Sequence, residues 1–311
     1  MIDPLRTVSF GGGDALQAIA EKLGLHTLPL HIHEIVLAFS LYHFIYTYLS
    51  PALSTRAFPS IYPKLSSQTK VNWNVHMVSL VQSIFICTTA LWILFLDHDL
   101  SNLDTKGRLG GYSGVAGMTQ AFAAGYFAWD AVISAMHMDV FGVGLLAHAL
   151  AALVIVILGF VRSLHFLNLS RPPRCAADLY CKRPFANYYG IAFVLYELST
   201  PFLDFHWLFD KCHMTGSRIQ LYNGIMLVLV FFGCRLAWGS YLSIRIYQDI
   251  WLLQNSPLSK DTKFPLWMVY LYFGMNTTLT TLNVYWFGQM IQAIMKRFPQ
   301  SKQRKAKLAT E

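Results

Sequence analysis

The sequence is short of charge. Asp, Glu, Lys and Arg make up 13% of its 311 residues, where soluble globular chains carry about a quarter. An ordinary water-facing surface is thereby excluded. Its five cysteines are too few and too scattered for a disulfide framework. Cys87 and Cys234 fall inside apolar stretches and read as small fillers, whereas Cys175 and Cys181 share one loop, paired if that loop is luminal and free or acylated if it is cytosolic. No GxxxxGK[ST], GxSxG, HExxH or CxxC pattern occurs, so nucleotide hydrolysis and zinc proteolysis have no support. Internal repeats are absent as well. Residues 1–29 hold Asp3, Arg6, Asp14, Glu21 and Lys22 but no continuous apolar core before a small-residue cleavage site; a cleaved signal peptide is not expected.

What fills the chain is apolar. Hydrophobic residues reach 55% and aromatics 15%, with a mean hydropathy of +0.41. Stretches long enough to cross the bilayer core, roughly 20 residues at helical rise, lie at 30–50, 74–96, 116–138, 141–161, 185–209, 219–247 and 264–295. The reading is an all-α polytopic membrane protein of seven transmembrane helices, the first an uncleaved insertion signal. The net charge of +8 concentrates in "KRFPQSKQRKAK" (296 to 307). A basic segment directly after the last span places the C-terminus in the cytosol, near anionic lipid, and gives no reason to expect nucleic acid. Loop 51–73 agrees with that orientation. Loop 162–184 opposes it with Arg162, Arg171, Arg174, Lys182 and Arg183, and it also holds a sequon at Asn168.

Ionisable groups at bilayer depth are costly and mark functional candidates. Here they are Glu34, His43, Asp130, His148, Glu197 and Arg235, joined by Asn276. Asp130 and His148 each lie nine residues from Asp139; a helical hairpin turning there brings them to equal depth near mid-bilayer, with Asp139 as N-cap of the second helix. His137 lies on nearly the same face as Asp130, close enough to the turn to be wet. Gly144, Ala147, Ala151 and Ala152 surround His148 with small residues, space for a packed helix or an acyl chain. An imidazole beside a carboxylate serves as general base or acyl acceptor, or the two simply hold helices together. In "YELSTPFLDFHWLF" (196 to 209) Pro201 removes the donor that the carbonyl of Glu197 would need, predicting a kink beside an intramembrane acid. "HTLPLHIHE" gathers His26, His31, His33 and Glu34, but His31 and His33 point to different faces of a helix. Interfacial histidines are expected there and no metal; "KCHMT" (211 to 215) is a weak metal signal too.

Three stretches together resemble the TLC-domain family, named for the TRAM, Lag and CLN proteins, in its small TLC-domain protein 4-like branch: "GYFAWDAVISAMHMDVFGVGLLAHALAAL" (125 to 153), "YELSTPFLDFHWLF" and "TLNVYWFGQMIQAIMKRF" (281 to 298). The resemblance covers about residues 70–300. It implies six helices in an α-helical barrel around a lipid cavity, with the 30–50 helix beside it, after an N-terminal segment 1–29 and before a basic tail 301–311. It also implies an endomembrane setting, the endoplasmic reticulum first, and a role in lipid homeostasis. Catalytic members, the ceramide synthases, carry a paired histidine where this sequence has Ala147-His148, and acids soon afterwards where 149–169 has none. Both differences argue against ceramide synthesis. Asp130 matches an acid of the family, and Glu197 matches the "ELS-P" motif of the small branch.

The expected function is binding of an acyl chain or acyl thioester within the membrane, centred on Asp130 and His148 as the catalytic pair if acyl transfer occurs. Glu197, Asn276, Gly144, Ala147, Arg235 and His137 are the expected lipid contacts. No cofactor is expected beyond acyl-CoA as a substrate. A non-enzymatic lipid binder, sensor or carrier is the alternative, and an ion-coupled transporter a weaker one. The oligomeric state has no signature.

Overall fold

The computed structural model describes residues 3–5, 27–96, 105–161, 185–255 and 264–297. These form helices and turns, with no strand among them. Each of the seven apolar stretches is helical. The elements are α1 (Leu28–Ala57), α2 (Ser67–Leu96), a short α3 (Thr105–Gly110), α4 (Gly114–Met136), α5 (Met138–Leu158), α6 (Asn187–Val194 continuing through Leu195–Ser199 into Thr200–Lys211), α7 (Arg218–Asn255) and α8 (Leu266–Arg297). α3 falls in the Gly-rich stretch, where sequence periodicity gives no helix signal. The basic tail from 298, Asn168, Cys175, Cys181 and His26 lie outside the described residues.

The helices owe their irregularities to specific residues. Pro51 lacks an amide, and α1 accommodates it with a π-helical turn at Ile45–Leu49, in which the Ser50 amide reaches back to the carbonyl of Ile45. α1 therefore continues past residue 50, where it was expected to stop. Pro201 is met by a tightened 3₁₀ turn over Leu195–Ser199. The Thr200 amide donates to the carbonyl of Glu197, so the freed carbonyl expected from sequence is in fact satisfied by the shorter turn. In α7 a π-helical segment, Phe232–Trp238, contains Arg235. Ser217 caps the start of α7, its Oγ accepting from the Gln220 amide at 3.2 Å.

α4 is the central helix. Every residue from Val115 to Phe127 is buried, which requires neighbours on all sides; α1, α2, α5 and α6 provide them. α1 and α4 approach closely at Gly125, where a β-carbon would lie 2.6 Å from the Ala38 β-carbon and from the Ile35 carbonyl oxygen. Outward, the bundle presents large apolar side chains such as Val36, Phe44, Trp92, Phe95, Trp251 and Tyr270. Among the described residues four helices are long and apolar enough to cross a membrane: α1, α2, α5 and α7. An outer surface of this kind belongs in lipid.

The α4–α5 hairpin turns at His137, not Asp139. His137 adopts φ −123°, ψ 48°, and α5 starts at Met138. Asp139 lies within the first turn of α5, and its Oδ2 accepts from Gln68 Nε2 at 2.8 Å, so it is not the N-cap. A second interruption follows at Gly142, with φ 71° and ψ 173°, a conformation glycine adopts without strain.

Candidate functional site

Within the bundle lies a chamber of about 620 Å³. Its wall is drawn from α2, α4, α5, α6, α7 and α8, and no α1 residue lines it. Five of the residues expected from sequence meet there: Asp130, Gly144, His148, Glu197 and Arg235. A smaller, mainly apolar pocket of about 70 Å³ lies against Ile86, Ala123, Ala152, Val156, Phe193 and Leu279. Asn276 lines this second space, and its Oδ1 accepts from the hydroxyls of Ser243 (3.0 Å) and Tyr247 (2.7 Å). Phe127, His148 and Glu197 border both cavities. Ala147 and His137 border neither.

Asp130 and His148 share the chamber wall but no hydrogen bond. Between His137 and His148 the helix is interrupted at Gly142, so counting residues from the turn does not set the relative depth of Asp130 and His148. Asp130 Oδ1 instead accepts from Ser134 Oγ at 3.5 Å. The His148 ring packs edge-on against Trp286 and Phe127, with centroids 5.4 and 6.2 Å away. Its Nδ1 is buried without a partner. An imidazole held by aromatic edges with a free nitrogen is positioned but chemically unspent.

The strongest polar cluster joins three helices. Arg235 donates from Nε to Ser199 Oγ (3.0 Å), from Nη1 to Asn283 Oδ1 (3.3 Å), and from Nη2 to Thr200 Oγ1 (3.0 Å) and Glu197 Oε1 (3.4 Å). Thr200 Oγ1 in turn donates to Glu197 Oε2 at 2.7 Å. The guanidinium lies over the Phe231 ring, 5.2 Å from its centroid. The two expected charges are thus partners, a buried ion pair whose remaining donors and acceptors are largely satisfied.

A third cluster was not anticipated. His76 Nδ1 and Asp204 Oδ1 are 2.8 Å apart, the imidazole is stacked on Trp207 at 4.4 Å, and both residues line the chamber. The carboxylate fixes the ring and leaves its other nitrogen for chemistry. Starting the second helix at residue 74 put His76 at its end and hid this. α2 begins at Ser67, so His76 lies well inside, in a polar row Asn72, His76 and Ser79 at helical spacing that also lines the chamber. That row is the signal in the sequence that would have located it.

Of the N-terminal histidines, His31 and His33 are buried within the protein. His31, His33 and Glu34 at the start of α1 are all below a tenth exposed, and Asp3 folds back against them.

The comparisons with known proteins follow this geometry. The sequence pattern of the TLC domain matches residues 72–170 and 176–292, together covering the helices that line the chamber. A TLC domain-containing protein of Schizosaccharomyces pombe is 33% identical over 282 residues, spanning 91% of this chain and 85% of its own length. Topoisomerase I damage affected protein 4 of Saccharomyces cerevisiae is 25% identical over 86% of this chain and 85% of its own. TLC domain-containing protein 4 of Homo sapiens is 26% identical over 65% of this chain and 67% of its own. With its apolar outer surface and this match across the chamber, the chain is a membrane protein that belongs to the TLC-domain family.

Proposed function

We propose that this chain acts in membrane lipid homeostasis, in the endoplasmic reticulum or a related endomembrane, by taking an acyl chain or acyl thioester into its interior. It spans the bilayer seven times, with α2 and α4–α8 as a barrel and α1 beside it. One observation carries the reading: the polar chamber and the apolar pocket share His148, Glu197 and Phe127. An amphipathic ligand fits such a pair with its carbonyl end beside His148 and most of its length in the chamber, the apolar pocket at Ile86, Ala123, Ala152 and Leu279 taking about two or three methylenes. Lipid extracted from the purified chain and identified by mass spectrometry tests it. Ala152→Phe narrows the tail pocket and should strip the bound lipid, whereas Val143→Phe, on the outer surface, should retain it. Equal retention by both variants rules the pocket out as the acyl site.

Acyl transfer is the second reading, favoured by the His76–Asp204 pair. A nitrogen of neutral His148 attacks the thioester carbonyl, the C–S bond breaks, and the leaving thiolate takes the proton from the other nitrogen of the His148 ring. A hydroxyl or amine acceptor then gives its proton to His76 and attacks the acyl-imidazole, and as the C–N bond breaks that proton passes from His76 to the departing His148 ring, which returns both imidazoles to the neutral form. His148→Ala should abolish the covalent adduct, and His76→Ala should slow turnover by roughly 10²–10⁴-fold. Turnover that survives His148→Ala defeats this assignment. Retained lipid with no turnover against a panel of hydroxyl and amine acceptors reduces the function to binding.

A further inference from the structure

At the opposite end of α4 from its hairpin with α5, four titratable side chains are packed together without enough hydrogen bonds to satisfy them. Glu34 is fully buried, His31 is 1% exposed, and Asp3 is 7% exposed. His31 Nδ1 lies 2.7 Å from Glu34 Oε2 and 3.8 Å from Asp3 Oδ2, and one ligand atom from each of the three falls within 4.8 Å of the others. Glu34 Oε1 is buried with no partner, as is Nδ1 of His33, whose Nε2 donates to the carbonyl of Leu5 at 3.2 Å. His33 Nε2 is 3.9 Å from Glu34 Oε1 but gives its hydrogen to Leu5, so the two buried carboxylates share one hydrogen-bonded imidazole, that of His31, and leave negative charge unbalanced, a state proteins avoid by pairing or by metal coordination.

We propose that Asp3, His31 and Glu34 bind a divalent first-row metal ion, zinc by its nitrogen-and-carboxylate donor set. The spacing suits it: ligands about 2.1 Å from a tetrahedral ion lie roughly 3.4 Å from one another, between the 2.7 and 3.8 Å seen for His31. Two carboxylates, one neutral imidazole and a divalent cation sum to zero charge. The ion takes the Nδ1 lone pair of His31 in place of the proton now shared with Glu34. If His31 starts protonated that proton leaves to solvent; if it starts neutral the proton moves to Nε2. In both cases Nε2–H then donates to the Tyr112 hydroxyl, 2.6 Å away, an outer partner of the kind that orients metal-binding histidines. Gly117 belongs to the same arrangement, since a β-carbon there would strike the His31 ring. The ion's role is to tie the N-terminal arm to α1 and α4: Asp3 already lies against Gly114, where a β-carbon would come within 2.6 Å of its amide.

The full-length chain, purified in detergent without a histidine tag after growth with zinc, is assayed by elemental analysis and by cobalt substitution. About one zinc per chain is expected, with cobalt producing visible d–d absorption. Asp3→Asn and Glu34→Gln, close in shape to the originals, should lose the ion. Tyr112→Phe should weaken it roughly 10–100-fold, and His43→Ala, on the exposed face of α1, should change nothing. Chelation should lower the melting temperature of the wild type and leave that of Glu34→Gln where it was. A wild-type chain that neither carries nor takes up zinc overturns the proposal, because the cluster is then an ion pair with protonated histidine. Zinc retained undiminished by both carboxylate variants overturns it equally.

Discussion

Arg235 is where three helices depend on one side chain. It reaches from α7 to Ser199, Thr200 and Glu197 on α6 and to Asn283 on α8. Arg235→Ala leaves the Glu197 carboxylate, 8% exposed, without its counter-charge. The expected cost is about 3–5 kcal/mol, read as a fall in the thermal midpoint in detergent. Arg235→Lys should recover only part of it, because an ammonium cannot fork to several oxygens at once. Removing both charges in Arg235→Ala/Glu197→Gln should be milder than Arg235→Ala alone, and a double variant as unstable as the single one would show that the two are not coupled. Each charge was legible in the sequence by its depth in an apolar stretch. Their pairing was not, because the residues lie 38 apart on helices whose contact depends on a 3₁₀ turn in one and a π segment in the other. Residue-level reading finds groups that are expensive to bury; it does not find who repays them.

Among the elements, the α4–α5 hairpin shows how a small misjudgement of a turn changes a site. Asp139 has the chemistry of an N-cap, and choosing it made Asp130 and His148 mirror positions. The turn forms at His137 instead, where Asp139 can bond Gln68 of α2, a contact between helices that local pattern does not encode. Asp130 bonds Ser134 and not His148, and the carboxylate that does fix a chamber imidazole is Asp204, on His76. Helix existence was readable for all seven stretches because apolar length is a strong signal; the interruption at Pro201 was anticipated and that at Pro51 was not, nor was the way each turn re-satisfied its backbone. The α1–α4 contact offers a test at this scale. Gly125 allows the two backbones to meet, so Gly125→Val should push α1 away at a cost of about 1–3 kcal/mol, with faster amide hydrogen exchange along α1. Gly233→Ala, where a β-carbon meets nothing, should leave exchange in α1 unchanged. Faster exchange in both would mean that the close approach at Gly125 is not what docks α1.

For the whole molecule, hydropathy and architecture select different helices. α1, α2, α5 and α7 pass as membrane spans on length and composition alone. α4, α6 and α8 do not, and they carry Asp130, Glu197, Asp204, Asn276 and Asn283, while His76, His148 and Arg235 come from α2, α5 and α7. The helices that look least like spans thus include the two, α4 and α6, that carry all three chamber carboxylates, which is the expected result where polar residues face inward from lipid. Under the seven-span proposal the α1–α2 loop, the α4–α5 turn and the α6–α7 loop share the cytosolic side with the C-terminus. The Gln68–Asp139 bond already holds the first two at one end of the bundle, and His76 and Asp204 lie toward that end, on the side from which a soluble acyl thioester would enter. Cysteines introduced one at a time decide the matter in a background with Cys175, Cys181 and Cys212 changed to Ser, since Cys212 lies between α6 and α7 and the other two share loop 162–184. In sealed microsomes a membrane-impermeant maleimide should label Ser60→Cys and Thr215→Cys directly, and Leu266→Cys only after permeabilisation; all three positions are exposed. The reverse pattern would invert the protein in the membrane and place the polar end of the chamber in the lumen. Labelling of all three from one side would mean that α7 does not cross the bilayer between Thr215 and Leu266, and the seven-span arrangement would fall.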